Sequence, residues 1–132
     1  TNHSTEKEFE MIQLSMFSNT PVKASSIIGT KVVSTDADSL GNIKEVVIDP
    51  RTGKVAYVVV SFGGFLTMGE KLFAIPFSAF EYNVINNEYI LDLPKNRLEN
   101  APGFDADHWP TMSDEQWNRD VYNYYGRSPY WE

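Results

Sequence analysis

The chain has 132 residues and a formal net charge of −7, the size of a single domain and the wrong sign for a nucleic-acid binder. Hydrophobic residues make up 42% of it, enough for a packed core and too many for wholesale disorder, yet no run of 18 apolar residues is present to span a membrane. With no cysteine and only two histidines, a disulfide framework, a thiolate zinc site and a cysteine nucleophile are excluded, and little is left for histidine chemistry.

Residues 1–23 read as an N-terminal extension. The segment starts polar and then mixes in Phe9, Met11, Ile12, Leu14, Met16 and Phe17. The alternation of Ile12, Leu14 and Met16 fits a strand, and a short docking helix fits as well. No basic stretch followed by an apolar one marks a secretory signal, so a cytoplasmic location is expected. The chain begins at Thr1 rather than Met, which reads as a trimmed or processed product.

Residues 24–100 carry the strand signals. Ser25 to Gly29 predicts a short helical turn stopped by glycine, and Lys31–Ser34 a short strand. Asp36 to Gly41 is a polar turn and Asn42 to Asp49 a β-branched strand. Asp49-Pro50-Arg51-Thr52-Gly53 is a hairpin turn, Pro presetting φ and Gly supplying the left-handed position. Lys54 to Phe62 is the strongest strand signal. The period of two puts Val55, Tyr57 and Val59 on one face and Ala56, Val58, Val60 and Phe62 on the other. A strand with one wet face alternates with polar residues, so this one is expected to be covered on both sides. A barrel interior covers one side. The C-terminal tail, the N-terminal segment or a partner subunit covers the other.

Gly63 to Glu70 reads as a long hairpin tip. Its Phe65, Leu66 and Met68 either fold back or form a contact surface. Lys71 to Ile75 is a fourth strand ended by Pro76, and Phe77 to Phe80 a turn. Glu81–Ile85 and Glu88–Leu93 form a hairpin around Asn86-Asn87, a pair that accepts positive φ. Pro94 suits the first position of a short helix running through Leu98. Six short strands with turn signals between them predict an all-β chain, a small antiparallel barrel.

Residues 101–132 form an acidic, aromatic tail. It holds all three tryptophans, Trp109, Trp117 and Trp131, with Phe104, Tyr122, Tyr124, Tyr125 and Tyr130. Disordered tails are poor in aromatics, so this one is expected to fold onto its own barrel or a neighbouring subunit. A helix near 113–125 starts with Ser113 as N-cap and Gln116 completing a capping box, and Gly126 ends it. Trp117, Val121, Tyr124 and Tyr125 make one apolar stripe. Residues 21–98 hold eight basic and eight acidic side chains, while residues 99–132 carry seven acids against Arg119 and Arg127. That tail would repel a phosphate backbone, so its aromatics are not a nucleic-acid stacking platform.

Asp36-x-Asp38-x-x-Gly41 resembles a calcium loop, but Leu40 and Val47 stand where oxygen ligands belong. Gly64 and Gly69 have phosphate-loop spacing, but Glu70-Lys71 follows where Lys-Ser/Thr is needed. Asp105, Asp107, His108 and Asp114 have metal-donor types, yet acids before a helix serve its N-terminal dipole. No Gly-x-Ser-x-Gly elbow exists, and no carboxylate pair stands out for glycoside chemistry.

The order Ile28-Gly29, Val32-Val33, Asp36 to Gly41, Ile43, Val46, Ile48-Asp49, Thr52-Gly53, Val55 to Val60, Lys71, Ile75-Pro76 and Leu93 resembles the PRC-barrel domain. This family is named for the cytoplasmic domain of the photosynthetic reaction centre H subunit, and a similar domain ends the ribosome-maturation factor RimM. The resemblance covers residues 24–98, with Ala101-Pro102-Gly103-Phe104 similar to the usual exit from the barrel. It implies a PRC-type barrel of about six strands with a short C-terminal helix, and an adaptor habit with no shared catalytic residue.

The sequence therefore predicts a non-catalytic, self-associating protein-interaction module. Its partners are a second copy of itself, as homodimer or higher, and an unidentified protein, with no nucleic acid, no membrane span, no cofactor and no metal. The interface candidates are Tyr57, Val59, Phe65, Leu66, Met68, Trp109, Trp117, Val121, Tyr124, Tyr125, Tyr130 and Trp131. A small-ligand or metal-binding barrel is the alternative from another class, and a ribosome- or RNA-linked factor the third.

Overall fold

The structure, a computed structural model, describes residues 21–62 and 71–132. The strand-or-helix reading of residues 12–16 and the hairpin tip with Phe65, Leu66 and Met68 lie outside the described residues. In chain order come helix α1 (Ala24–Ile27) and strands β1 (Lys31–Ser34), β2 (Ser39–Asp49), β3 (Lys54–Phe62) and β4 (Lys71–Ile75). A 3-10 turn (Phe77–Ala79), β5 (Phe80–Asn83), β6 (Glu88–Leu91) and helix α2 (Lys95–Glu99) follow, then β7 (Phe104–Asp105) and helix α3 (Glu115–Tyr125).

The chain is mostly β, in one sheet of order β5-β6-β1-β2-β3-β4-β7. Two expectations change here. The sheet is mixed, because β1 runs parallel to β6, with Val32 opposite Tyr89 and Ser34 opposite Leu91. It also has seven strands among the described residues rather than six, and it is not closed: β5 and β7 are its edges. Strand β7 is only two residues, Phe104 opposite Leu72 and Asp105 opposite Lys71. Gly103 makes that approach feasible, since a Cβ there would stand 2.8 Å from Phe73 Cε1 and 2.9 Å from the Leu72 carbonyl oxygen.

Side chains from six strands meet in one inner cluster, including Val32, Leu40, Ile43, Val58, Phe73, Phe80 and Leu91. Ile27 of α1 and Leu98 of α2 plug into it. Burying large aliphatic and aromatic side chains in this way contributes about 1.5–3 kcal/mol each before entropy is counted. At Gly41 the β2–β3 approach is so close that a Cβ would lie 1.9 Å from the Ser61 carbonyl oxygen, at φ +141°, a backbone state that favours glycine.

Strand β3 does not alternate along its whole length. Val47 pairs with Tyr57 and Ile48 with Val55, leaving Ala56 without a partner. This β-bulge resets the alternation. Val55 therefore packs toward the inner cluster with Val58 and Val60, while Ala56 and Tyr57 both join a second, outer cluster. The expected face of Val55, Tyr57 and Val59 is corrected in that respect.

Two helix boundaries also shift. Asp114, not Ser113, caps α3, its carboxylate accepting the Trp117 N–H at 3.1 Å. Gln116 does not close a capping box but donates to Asp120 Oδ1 at 2.9 Å. Pro94 stands before α2 in extended conformation, and that helix runs through Glu99. Gly126 ends α3 at φ +65° as expected.

Candidate functional site

The outer face of β3 is covered from within the chain. Ala56, Tyr57 and Ala74 pack against Val121 and Tyr122 of α3, with Trp117, Tyr130 and Trp131 around them. The Tyr57 ring lies 5.2 Å from Trp117 and 5.7 Å from Tyr122, and Trp131 meets Tyr122 edge-on at 5.3 Å, within the range of favourable aromatic pairs. The bulge supplies the polar anchor. Ala56 has no register partner, and its carbonyl accepts the Tyr122 hydroxyl at 2.6 Å.

A second anchor fixes the end of the tail to the β2–β3 turn. Asp49 is the buried carboxylate of that turn. Its Oδ1 accepts the Arg51 N–H at 2.9 Å and Arg51 Nε at 3.3 Å, and its Oδ2 accepts Arg51 Nη2 at 3.2 Å and the Tyr130 hydroxyl at 2.7 Å. The Arg51 side chain, then Tyr130, then the Arg51 N–H hold this carboxyl at about 2. A carboxylate with four donors is held in its ionised form, so the cluster fastens the end of the tail to the turn. Lys54 Nζ adds a bond to the Tyr130 carbonyl at 3.2 Å. Burial pushes the Tyr57, Tyr122 and Tyr125 hydroxyls far up, out of reach of physiological pH.

The interface candidates among the described residues thus fall into three groups. Tyr57, Val59 and Val121 are buried, at 1%, 0% and 3% exposure, and present nothing to a partner. Trp117, Tyr124, Tyr125, Tyr130 and Trp131 are half-buried. Tyr124 leaves the outer stripe: its ring lies under the Arg97 guanidinium at 4.9 Å and its hydroxyl donates to the Arg97 carbonyl. Only Trp109, resting on Phe104 at 5.0 Å, is well exposed, at 40%. Phe65, Leu66 and Met68 lie outside the described residues. Tyr122, the residue that anchors the tail, was absent from the predicted stripe. It sits five positions after Trp117, off the i, i+4 spacing but on the same side once the helix is docked.

The acidic clusters do not converge. Asp105 and His108 approach only to 3.9 Å, both exposed, and Asp114 is engaged as a cap. Among the described residues no group of three or more His, Cys, Asp or Glu is placed to hold a metal. Asp36 and Asp38 direct their backbone N–H groups to Ser34 Oγ in a turn.

A surface that sequence reading missed lies at the other end of the sheet. Val46 and Ile48 of β2, Val55 of β3, Phe77 of the 3-10 turn and Phe80 and Tyr82 of β5 wall a concavity of about 480 Å³. Pro21, Val22 and Ile27 close its rim on the α1 side. Among the described residues no charged side chain lines it. The Tyr82 hydroxyl is spent on Asn87 Oδ1 at 2.7 Å. Ile48 and Val22 stand 48% and 50% exposed, so the groove opens as apolar surface. Phe77-x-x-Phe80 after Pro76 was the one local hint, since such a turn needs no two aromatics unless they pack on something. Among the described residues no helix is long and apolar enough to cross a membrane.

A family model for the PRC-barrel domain matches residues 20–98, which spans β1 to β6 and stops inside α2. No curated protein matches the chain. The chain belongs to the PRC-barrel family, and the tail that covers the outer face of β3 lies beyond the matched region.

Proposed function

We propose that this PRC-barrel protein is a non-catalytic interaction module that binds protein partners and associates with a second copy of itself through apolar surface. The curled sheet is read as the PRC-type barrel, and its uncovered end as the docking surface. The single observation that carries this reading is the groove walled by Val46, Ile48, Val55, Phe77 and Phe80, open at a rim where Val22 and Ile48 are half exposed. An apolar surface of this kind, facing solvent beside polar neighbours, marks interaction sites. The polar clusters support the same reading, since Asp49, Arg51 and Tyr130 bond to one another and hold the tail.

Sedimentation velocity over a wide concentration range tests it. The full chain is expected to show a concentration-dependent dimer that Ile48→Asp abolishes while leaving the fold intact by circular dichroism. A strict monomer at every concentration would remove the self-association. The groove volume also falls within the roughly 300–1,000 Å³ of small-molecule sites, and a small apolar ligand is the second reading. A fluorescent apolar probe that binds saturably with one site per chain, and is lost in Ile48→Asp, would favour it.

A further inference from the structure

Between the start of α3 and the β2–β3 turn lies a crevice of about 440 Å³, lined by Arg51, Ser113, Glu115, Asn118, Tyr130 and Trp131. An inner part of about 260 Å³ shares Arg51, Ser113, Asn118 and Tyr130 with it and continues to Asp49 and Tyr57. Tyr57 is too deep for a protein partner, at 1% exposure. Yet its hydroxyl has no hydrogen-bond partner among the described residues. Burial, then the nearby Tyr122 and Tyr130, push that hydroxyl up, and Tyr130 is itself bonded to Asp49. The unpaired hydroxyl therefore stands on the Tyr130 side of Tyr57, where the inner part lies. A buried hydroxyl without a partner costs stability, and a ligand hydroxyl that reaches it restores a bond. Met112 walls both parts, and its unbranched side chain can yield to admit one.

The rest of the lining selects the chemistry. Arg51 Nε and Nη2 are taken by Asp49, which leaves further N–H donors on a side chain that is 85% exposed. Asn118 Nδ2 donates to the Met112 carbonyl at 3.0 Å and the Asp114 carbonyl at 2.7 Å. Its amide is thereby fixed, with Oδ1 left as an acceptor. Among the described residues each charge of the lining has an opposite partner, Asp49 with Arg51 and Glu115 with Arg119. A charged ligand gains little from such a balanced wall. A molecule whose hydroxyls both donate and accept matches it, and the half-buried Trp131 ring offers an apolar face beside these polar groups. We propose that this crevice binds an uncharged sugar unit, bonded by Arg51 and Asn118 at the mouth and Tyr57 at the floor, with its C–H face on Trp131. The site goes beyond the interaction reading and does not rest on it.

The test titrates the isotope-labelled full chain with glucose, galactose, N-acetylglucosamine, maltose and cellobiose. At least one is expected to give saturable shifts of the Arg51, Tyr57 and Asn118 amides, with Val32 and Leu91 unmoved and one site per chain. Glucuronate and glucosamine are expected to bind at least about tenfold more weakly than the best uncharged sugar. Tyr57→Phe should lower the affinity for that sugar by about tenfold while leaving the urea midpoint in place, a split that a purely structural hydroxyl would not produce. Absence of saturable shifts with all five sugars, or shifts centred away from the crevice, overturns the proposal. So does equal binding of the charged sugars, or a Tyr57→Phe chain that binds as the native one does. Self-association of Tyr57→Phe is expected to be unchanged, so failure of the sugar site leaves the functional reading standing.

Discussion

The two apolar surfaces of the sheet are treated differently by the same chain. The outer face of β3 is sealed by α3 and the aromatic end, and the groove at the Val55 end is left open among the described residues. Both are rich in Val, Phe and Tyr, so hydrophobicity does not distinguish them. Polar anchoring does. The sealed face has a bulge carbonyl that takes the Tyr122 hydroxyl and a carboxylate that takes Tyr130. Apolar burial is non-directional, and it is the hydrogen bonds that fix one cover in one register.

The largest effect that separates the two surfaces is expected at Tyr122. Tyr122→Ala removes a ring that is 2% exposed and opens a cavity between α3 and β3. By analogy with large-to-small aromatic changes it should cost about 3–5 kcal/mol, read as a lowered urea midpoint. A loss below about 1 kcal/mol would mean that the tail contributes little to stability, and the contrast would dissolve.

Next comes a pair of single-atom deletions. Tyr122→Phe strands the Ala56 carbonyl and should cost about 1–3 kcal/mol. Tyr57→Phe, one residue from that carbonyl, should be neutral or slightly stabilising, because the Tyr57 hydroxyl is buried with no partner among the described residues. Equal costs for the two variants would show that ring packing, not anchoring, holds the tail.

These same residues show what could be read from the sequence. The double-sided apolar character of Lys54–Phe62 and the need for a cover were plain, because period-two patterning reports burial directly. The bulge at Ala56 was not, since an extra residue in a run of Ala and Val leaves the pattern apolar on either count. The parallel β1–β6 pairing was hidden for a different reason: a strand's own residues show that it pairs, not with which distant strand. Strand β7 is two residues long and owes its place to the close approach at Gly103, too short to leave a period. The groove draws on residues from Pro21 to Tyr82. Each reads as an ordinary core position until the curl of the sheet leaves one end uncovered among the described residues.

The Asp49 clasp gives a pH test of the same contrast. The carboxyl is held at about 2 in the folded chain, against about 3.9 for an unperturbed aspartate. A depressed folded value stabilises the fold at pH above the unfolded value, and that contribution fades as pH falls through the folded one. The stability difference between the native chain and Asp49→Asn should therefore be constant above about pH 4 and shrink between about pH 4 and pH 2. Titration by urea at each pH, with tryptophan fluorescence as readout, measures it. A difference that does not change across that window would separate Asp49 from the docking of the tail.

The smallest effect on folding is expected in the groove, and its smallness matters. Ile48 is 48% exposed at the end of β2, next to the buried Asp49. Replacing it with Ser removes apolar surface that water already reaches, so the folded chain loses little that the unfolded chain keeps. Substitutions at such surface positions usually fall within about 0.5 kcal/mol. If Ile48→Ser is silent in urea denaturation yet weakens association, the groove is a surface whose apolar character contributes to binding rather than folding. If it destabilises as Tyr122→Phe does, Ile48 is covered in solution more completely than the described residues account for. The open end and the sealed face would then be two parts of one core.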